Sequence, residues 1–194
     1  MKSSSWLATL MVAALTFFSP ALFASGRAPE AAPPAPASYT DSVPLEVSSL
    51  LTQIKTDGLE VRQLSARLQS LDMQEGENYW QYDAGVLSRA RTQVNAMDQD
   101  LRQLEKLQPE AARWQQKAIG RVAPSVVELT DYTRSALRYL DHHEDDLFSP
   151  AYRNDADFMY RKADRIVKSV DNFEHYASAR REVRHLGARL EISS

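Results

Sequence analysis

Two adjacent histidines and a set of carboxylates hold most of the chemistry written into this chain. His142 and His143 lie inside the run Asp141-His142-His143-Glu144-Asp145-Asp146, with Asp155 and Asp157 a short distance further on. From Asp141 to Asp157 there are six acids against one cation, Arg153. Imidazole beside carboxylate is a donor set that suits a divalent transition metal such as zinc, nickel or copper. The metal reading takes His142, His143, Asp83, Glu144 and Asp155 as ligands. Neighbouring residues of a helix point about 100° apart, so His142 and His143 reach one ion only where the helix has ended or frayed. The same residues support a plainer arrangement. Asp83 and His143 both fall on apolar stripes, and a buried carboxylate or imidazole needs a partner. An Asp83–His143 hydrogen bond that closes this end of the fold satisfies both, and it is the preferred expectation because buried polar groups are generally satisfied.

Other chemistry has thinner support. The acidic run opposes the dipole at a helix C-terminus and lacks the glycine and alternate-position ligands of an EF-hand loop, so calcium of that kind is not expected. Glu182-Val183-Arg184-His185 has the Glu-x-x-His form used by di-iron bundles, but those centres need a second copy and two further glutamates, and no second copy stands in the sequence. A haem held by His143 with Met73 or Met159 is the only His/Met pairing that the order of the chain permits. With no cysteine, disulfides, thiolate zinc, iron–sulfur clusters and covalent c-type haem are all ruled out. No G-x-S-x-G is present, and a hydrolase is not expected. The net charge of −3, with no strongly basic segment, argues against a nucleic-acid partner. From Arg161 to Glu191 eight basic residues face five acidic ones. That excess suits either an acidic partner or membrane surface, or a solvated helix face with its cations near the C-terminus. Tyr79, Trp80 and Tyr82 either cover a core end or stack on a ligand.

The elements that must position these residues follow from the apolar pattern. Residues 1–24 have the form of a secretory signal: Lys2, an apolar stretch from Trp6 to Phe18, and the small-residue ending Ala21-Leu22-Phe23-Ala24. The apolar stretch is too short for a comfortable membrane span, so no integral span is expected once the signal is cleaved. Residues 25–44 contain Pro29, Pro33, Pro34, Pro36 and Pro44 with few large apolar side chains, which describes a tether. Residues 45–190 carry helical periodicity throughout. The first stripe is Val47, Leu50, Ile54, Val61, Leu64, Leu68 and Leu71, with Asp57 in the one step that lacks an apolar residue. The second, after an Asn78 cap, is Val86, Ala90, Val94, Met97, Leu101 and Leu104, and extends back to Asp83. The third, opening at Pro109 and kinked at Pro124, is Ile119, Val122, Val126, Leu129, Thr133, Ala136 and Leu140, then His143. The fourth is Met159, Ala163, Ile166, Val170, Phe173 and Ala177, after which it shifts to Val183, Leu186 and Leu190, with Gly187 ending regular helix.

Alternating three- and four-residue steps and short connections predict an all-α fold, a long up-down-up-down four-helix bundle with shallow left-handed packing. In that topology the ends of the first and third helices and the starts of the second and fourth share one pole, which gathers the histidines and carboxylates. The expected function is an exported, non-enzymatic binding module, periplasmic or secreted, with an envelope protein as partner and no cofactor. A bundle of this kind is compatible with pairing into a homodimer. The alternative is a metal- or haem-binding bundle with its site at the His142/His143 pole.

Overall fold

The computed structural model of the protein describes residues 42–70, 79–143 and 149–192. They form four α-helices: α1 (Ser42–Ser70), α2 (Tyr79–Leu107), α3 (Arg113–His142) and α4 (Pro150–Ile192). Helices consecutive in the chain pack against one another, and α1 also packs against α4, closing a four-membered ring. The direction of each helix is set by which residues meet. On α1, Thr52, Lys55 and Arg62 reach Glu174, Glu174 and Asp164 of α4, so rising numbers on one helix meet falling numbers on the other. Glu128, Tyr132 and Tyr139 of α3 likewise meet Lys162, Phe158 and Tyr152 of α4. The architecture is the expected all-α four-helix bundle.

The stripes become the core because they are the only faces apolar enough to leave water. Ile54, Val61, Leu104, Val122, Leu129, Met159 and Ile166 are fully buried. Three details differ from the periodicity. The α1 stripe passes through Leu51, buried, with Leu50 only half-buried. Pro109 opens a single 3₁₀ turn, Gln108–Glu110, and α3 starts three residues later. α1 begins at Ser42, inside the stretch expected as tether, because Pro44 then sits in the first turn, where its missing N–H leaves no bond unmade. Leu71 and Asn78 lie outside the described residues.

Two further features shape the ring. Gly58 is buried where α1 crosses α4, and a Cβ there would stand 3.4 Å from Val167 Cγ2 and 3.5 Å from Ile166 Cγ2. α3 runs on through the exposed Pro124 without changing the phase of its buried face. Among the described residues, no helix is long and apolar enough to cross a membrane.

Candidate functional site

At the pole that gathers the histidines, the structure corrects the expected pairing. Asp83 is buried, 5% exposed, but its Oδ2 accepts a 2.9 Å hydrogen bond from the Tyr152 hydroxyl of α4. Desolvation, and then the Asp83 carboxylate, hold the Tyr152 phenol far above its ordinary range, so it stays a donor at any physiological pH. His143 is exposed and caps the end of α3, where the backbone has left helical geometry (φ −141°, ψ 54°), so the α3 stripe stops at Leu140. Its ring stacks on Tyr139 with centroids 4.4 Å apart, and Nδ1 lies 3.2 Å from the Tyr139 carbonyl oxygen. The Asp83–His143 hydrogen bond is thus replaced by Asp83–Tyr152, because a helix that ends at His142 cannot carry His143 back onto the buried face.

The other expected ligands are spread out. His142 is exposed, with Nδ1 2.9 Å from the Arg138 carbonyl oxygen. A carbonyl only accepts, so that contact puts the proton on Nδ1. Asp155 is half-buried on α4. Glu144 and Met73 lie outside the described residues. Among the described residues, no three His, Asp or Glu side chains come together in a set able to hold a metal ion. Met159 is in the core, 0% exposed. Trp80 packs against the core and Tyr82 is exposed, while the Tyr79 side chain lies outside the described residues.

A second polar feature lies between α1 and α2. Asp57 is 5% exposed, and its Oδ1 accepts from Gln53 Nε2 at 3.1 Å, while Oδ2 has no hydrogen-bond partner. Asp100 of α2 also has a buried Oδ2 without one. Burial pushes the Asp57 carboxyl above its usual range, the Gln53 amide pulls it part of the way back, and the charges of Asp100 and Glu60 push it up again. Burial alone raises Asp100. Asp57 was legible as the one carboxylate on the α1 stripe. Asp100 was not, since it lies one residue off the α2 stripe.

The opposite pole is organised by Gln115, which is fully buried. Its Nε2 donates to the Pro44 carbonyl at 2.6 Å and to Ser48 Oγ at 3.1 Å, while Oε1 accepts the Ala112 N–H at 3.0 Å. One side chain therefore closes the first turn of α3 and holds the start of α1 against it. Stepping back four residues along the α3 stripe from Ile119 lands on Gln115, a signal that the sequence carries but that apolar counting passes over. Beside it lies a groove of about 340 Å³ whose lining includes Leu51, Trp114, Phe173 and Arg181.

From this pole α4 leaves the bundle. α4 has 43 residues, against 29 or 30 in the other helices, and it runs straight through Gly187. The expected helix end at Gly187 is corrected. One glycine costs a helix interior only about 1 kcal/mol, too little to end a helix already built and anchored. Beyond Ala177 every residue to Leu190 is exposed, including Val183 (69%), Leu186 (53%) and Leu190 (72%). Compared with family models, with curated proteins and with solved structures, the chain shows no match.

Proposed function

We propose that the chain is an exported, non-enzymatic helical-bundle protein that works as a binding module in the envelope, in the periplasm or outside the cell. The observation that supports this reading is α4 beyond Ala177, a preformed helix that leaves Val183, Leu186 and Leu190 in water. Large apolar side chains lined up along one face of an exposed helix are a feature of interaction surfaces. The signal-like residues 1–24 and the proline-rich residues 25–44 fit a domain delivered out of the cytoplasm and held on a tether.

The test places a photo-crosslinking residue at Leu186, and at Val127 as an exposed apolar control on the bundle body. Each variant is expressed in the native host and followed through cell fractionation. The expected result is a chain shortened by removal of the signal, recovered in the envelope or medium, with crosslinked adducts from Leu186 far outnumbering those from Val127. Equal adducts at both positions, or a full-length cytoplasmic chain, would remove the reading. So would a catalysed turnover in a broad activity screen that Asp83→Asn or His143→Ala abolishes.

A further inference from the structure

We infer that the projecting end of α4 is a self-association helix, and that its partner is the same segment of a second copy, docked antiparallel. This deepens the binding role proposed above and rests on it. The inference begins with a change of register inside one helix. The buried stripe of α4 runs through Met159, Ala163, Ile166, Val170 and Ala177. Continued in phase it would meet Arg180, Arg184 and Gly187, none of them a core residue. The apolar positions instead fall one residue earlier, at Tyr176, Ala179, Val183, Leu186 and Leu190. One residue is a turn of about 100°, so this second stripe faces away from the bundle's own core. All five side chains are exposed.

The shape of the stripe argues for a helix as the occupant. Its steps are three, four, three and four residues, the a and d positions of a heptad, with no widening to a third apolar row. A helix that lies on a membrane surface presents a broader apolar face bounded by cations. Here the seam is narrow, and Glu182 sits beside it.

The charges beside the seam then select the partner and its direction. With Tyr176, Val183 and Leu190 at a, and Ala179 and Leu186 at d, Glu182 and Arg189 occupy g, and Arg180 and Gly187 occupy e. In an antiparallel pair of copies, g faces g and e faces e. Glu182 of each copy then meets the partner's Arg189, giving two ion pairs related by the two-fold axis. Arg180 meets the partner's Gly187, where there is neither a like charge nor a side chain to clash with. The seam layers match in volume as well: Val183 packs on the partner's Leu186, and small Ala179 on the partner's large Leu190. A parallel pair loses all of this, since Glu182 would face Gly187, and His175 would face Arg180. A surface complementary to itself about a two-fold axis is the signature of an isologous dimer.

The length sets the strength. The 15 residues from Ser178 to Ile192 span about 22 Å, fewer than three heptads. The contact falls below the standard protein interface, so the dimer is weak, with a Kd above about 1 µM. It forms at all because the bundle has already nucleated the helix, and an isolated peptide of this length is marginal.

Sedimentation of the purified chain from about 5 to 500 µM should show a reversible monomer–dimer equilibrium. Leu186→Asp should leave only monomer with the bundle's unfolding midpoint unchanged. Glu182→Arg should weaken the dimer about tenfold, and adding Arg189→Glu in the same chain should restore it. An oxidised mixture of Val183→Cys and Leu186→Cys chains should yield mainly mixed crosslinks. A monomer at every concentration overturns the inference, as does a dimer indifferent to Leu186→Asp, a charge swap without rescue, or a predominance of Leu186→Cys self-crosslinks. A monomer that co-sediments with anionic phosphatidylglycerol vesicles also overturns it in favour of a lipid surface. A monomer that still crosslinks to a different envelope protein from position 186 overturns the dimer and leaves the binding role standing.

Discussion

α4 contains two helices in one backbone. From Pro150 to Ala177 it is met by α1 and α3, and the stripe Met159, Ala163, Ile166, Val170 and Ala177 disappears from solvent. From Ser178 onward the same backbone hydrogen bonding continues to Ile192, and every residue to Leu190 is exposed. The difference is not one of local propensity, since alanine, arginine, glutamate and leucine fill the exposed part and are good helix formers. It lies in what the side chains touch. The inner part is stable because burial removes Met159, Ile166 and Val170 from water. The outer part is helical because the inner part nucleates it, and each further residue then adds a bond at little cost. Stability and availability for binding are thus separated along a single element.

That separation predicts opposite responses to the same truncation. Leu129→Ala, at a position with 0% exposure, should cost about 2–5 kcal/mol in denaturant unfolding, through lost transfer energy and the cavity left behind. Leu186→Ala should stay within about 0.5 kcal/mol at low protein concentration, because the side chain leaves water for nothing in the monomer. A loss above 2 kcal/mol at Leu186 under those conditions would mean that the outer part is packed, and the comparison would fail.

A smaller contrast separates the two buried carboxylate sites within the bundle. Tyr152→Phe takes away the donor to Asp83 and should destabilise by about 1–3 kcal/mol, the cost of a buried acceptor that loses its bond. Asp57→Asn should do the reverse at pH 7. The Asp57 carboxyl is raised, mainly by burial, so the folded chain holds this proton more tightly than the unfolded chain does. Its favourable contribution is complete below the unfolded carboxyl pKa and is lost as pH rises through the folded value. The amide keeps an acceptor for Gln53 and carries no charge. The variant should therefore be more stable than the native chain near neutral pH, with the gain shrinking as the medium is acidified. Unfolding midpoints across an acid-to-neutral series would show it, and a gain independent of pH would assign the effect to something other than that proton.

The same distinction explains what could be read in the residues beforehand. The bundle was legible because a core obeys a period, and Val122, Val126, Leu129, Thr133, Ala136 and Leu140 keep theirs through Pro124. The candidate site was less so. Placing His143 on the buried face required the helix to last one residue longer than it does, and helix ends are set by local backbone geometry that a period does not report. Tyr152 was missed as the partner of Asp83 because it joins diagonal helices, α2 and α4, that no short connection links. The exposed stripe at Val183, Leu186 and Leu190 was visible as a shift of phase. Gly187 hid the continuity of the helix beneath it, because a glycine is read as a stop where packing is not known.

Glycine gives the finest test of the comparison, because one sits in each part. Gly58 touches α4, and a Cβ there meets Val167 and Ile166 at ordinary contact distance, whereas at Gly187 nothing lies within 4 Å. Alanine relieves the conformational cost of glycine in both helices, by about 0.5–1 kcal/mol. At Gly58 that gain belongs to the cooperative bundle, so Gly58→Ala should raise the global unfolding midpoint. At Gly187 it belongs to a segment that opens on its own, with few buried contacts to tie it to the rest. Gly187→Ala should therefore slow amide exchange between Arg184 and Leu190 while leaving the midpoint where it was. The two variants carry the same chemical change, so any difference between them measures how far the outer turns of α4 unfold apart from the bundle. Equal midpoint shifts would mean that α4 melts as one piece.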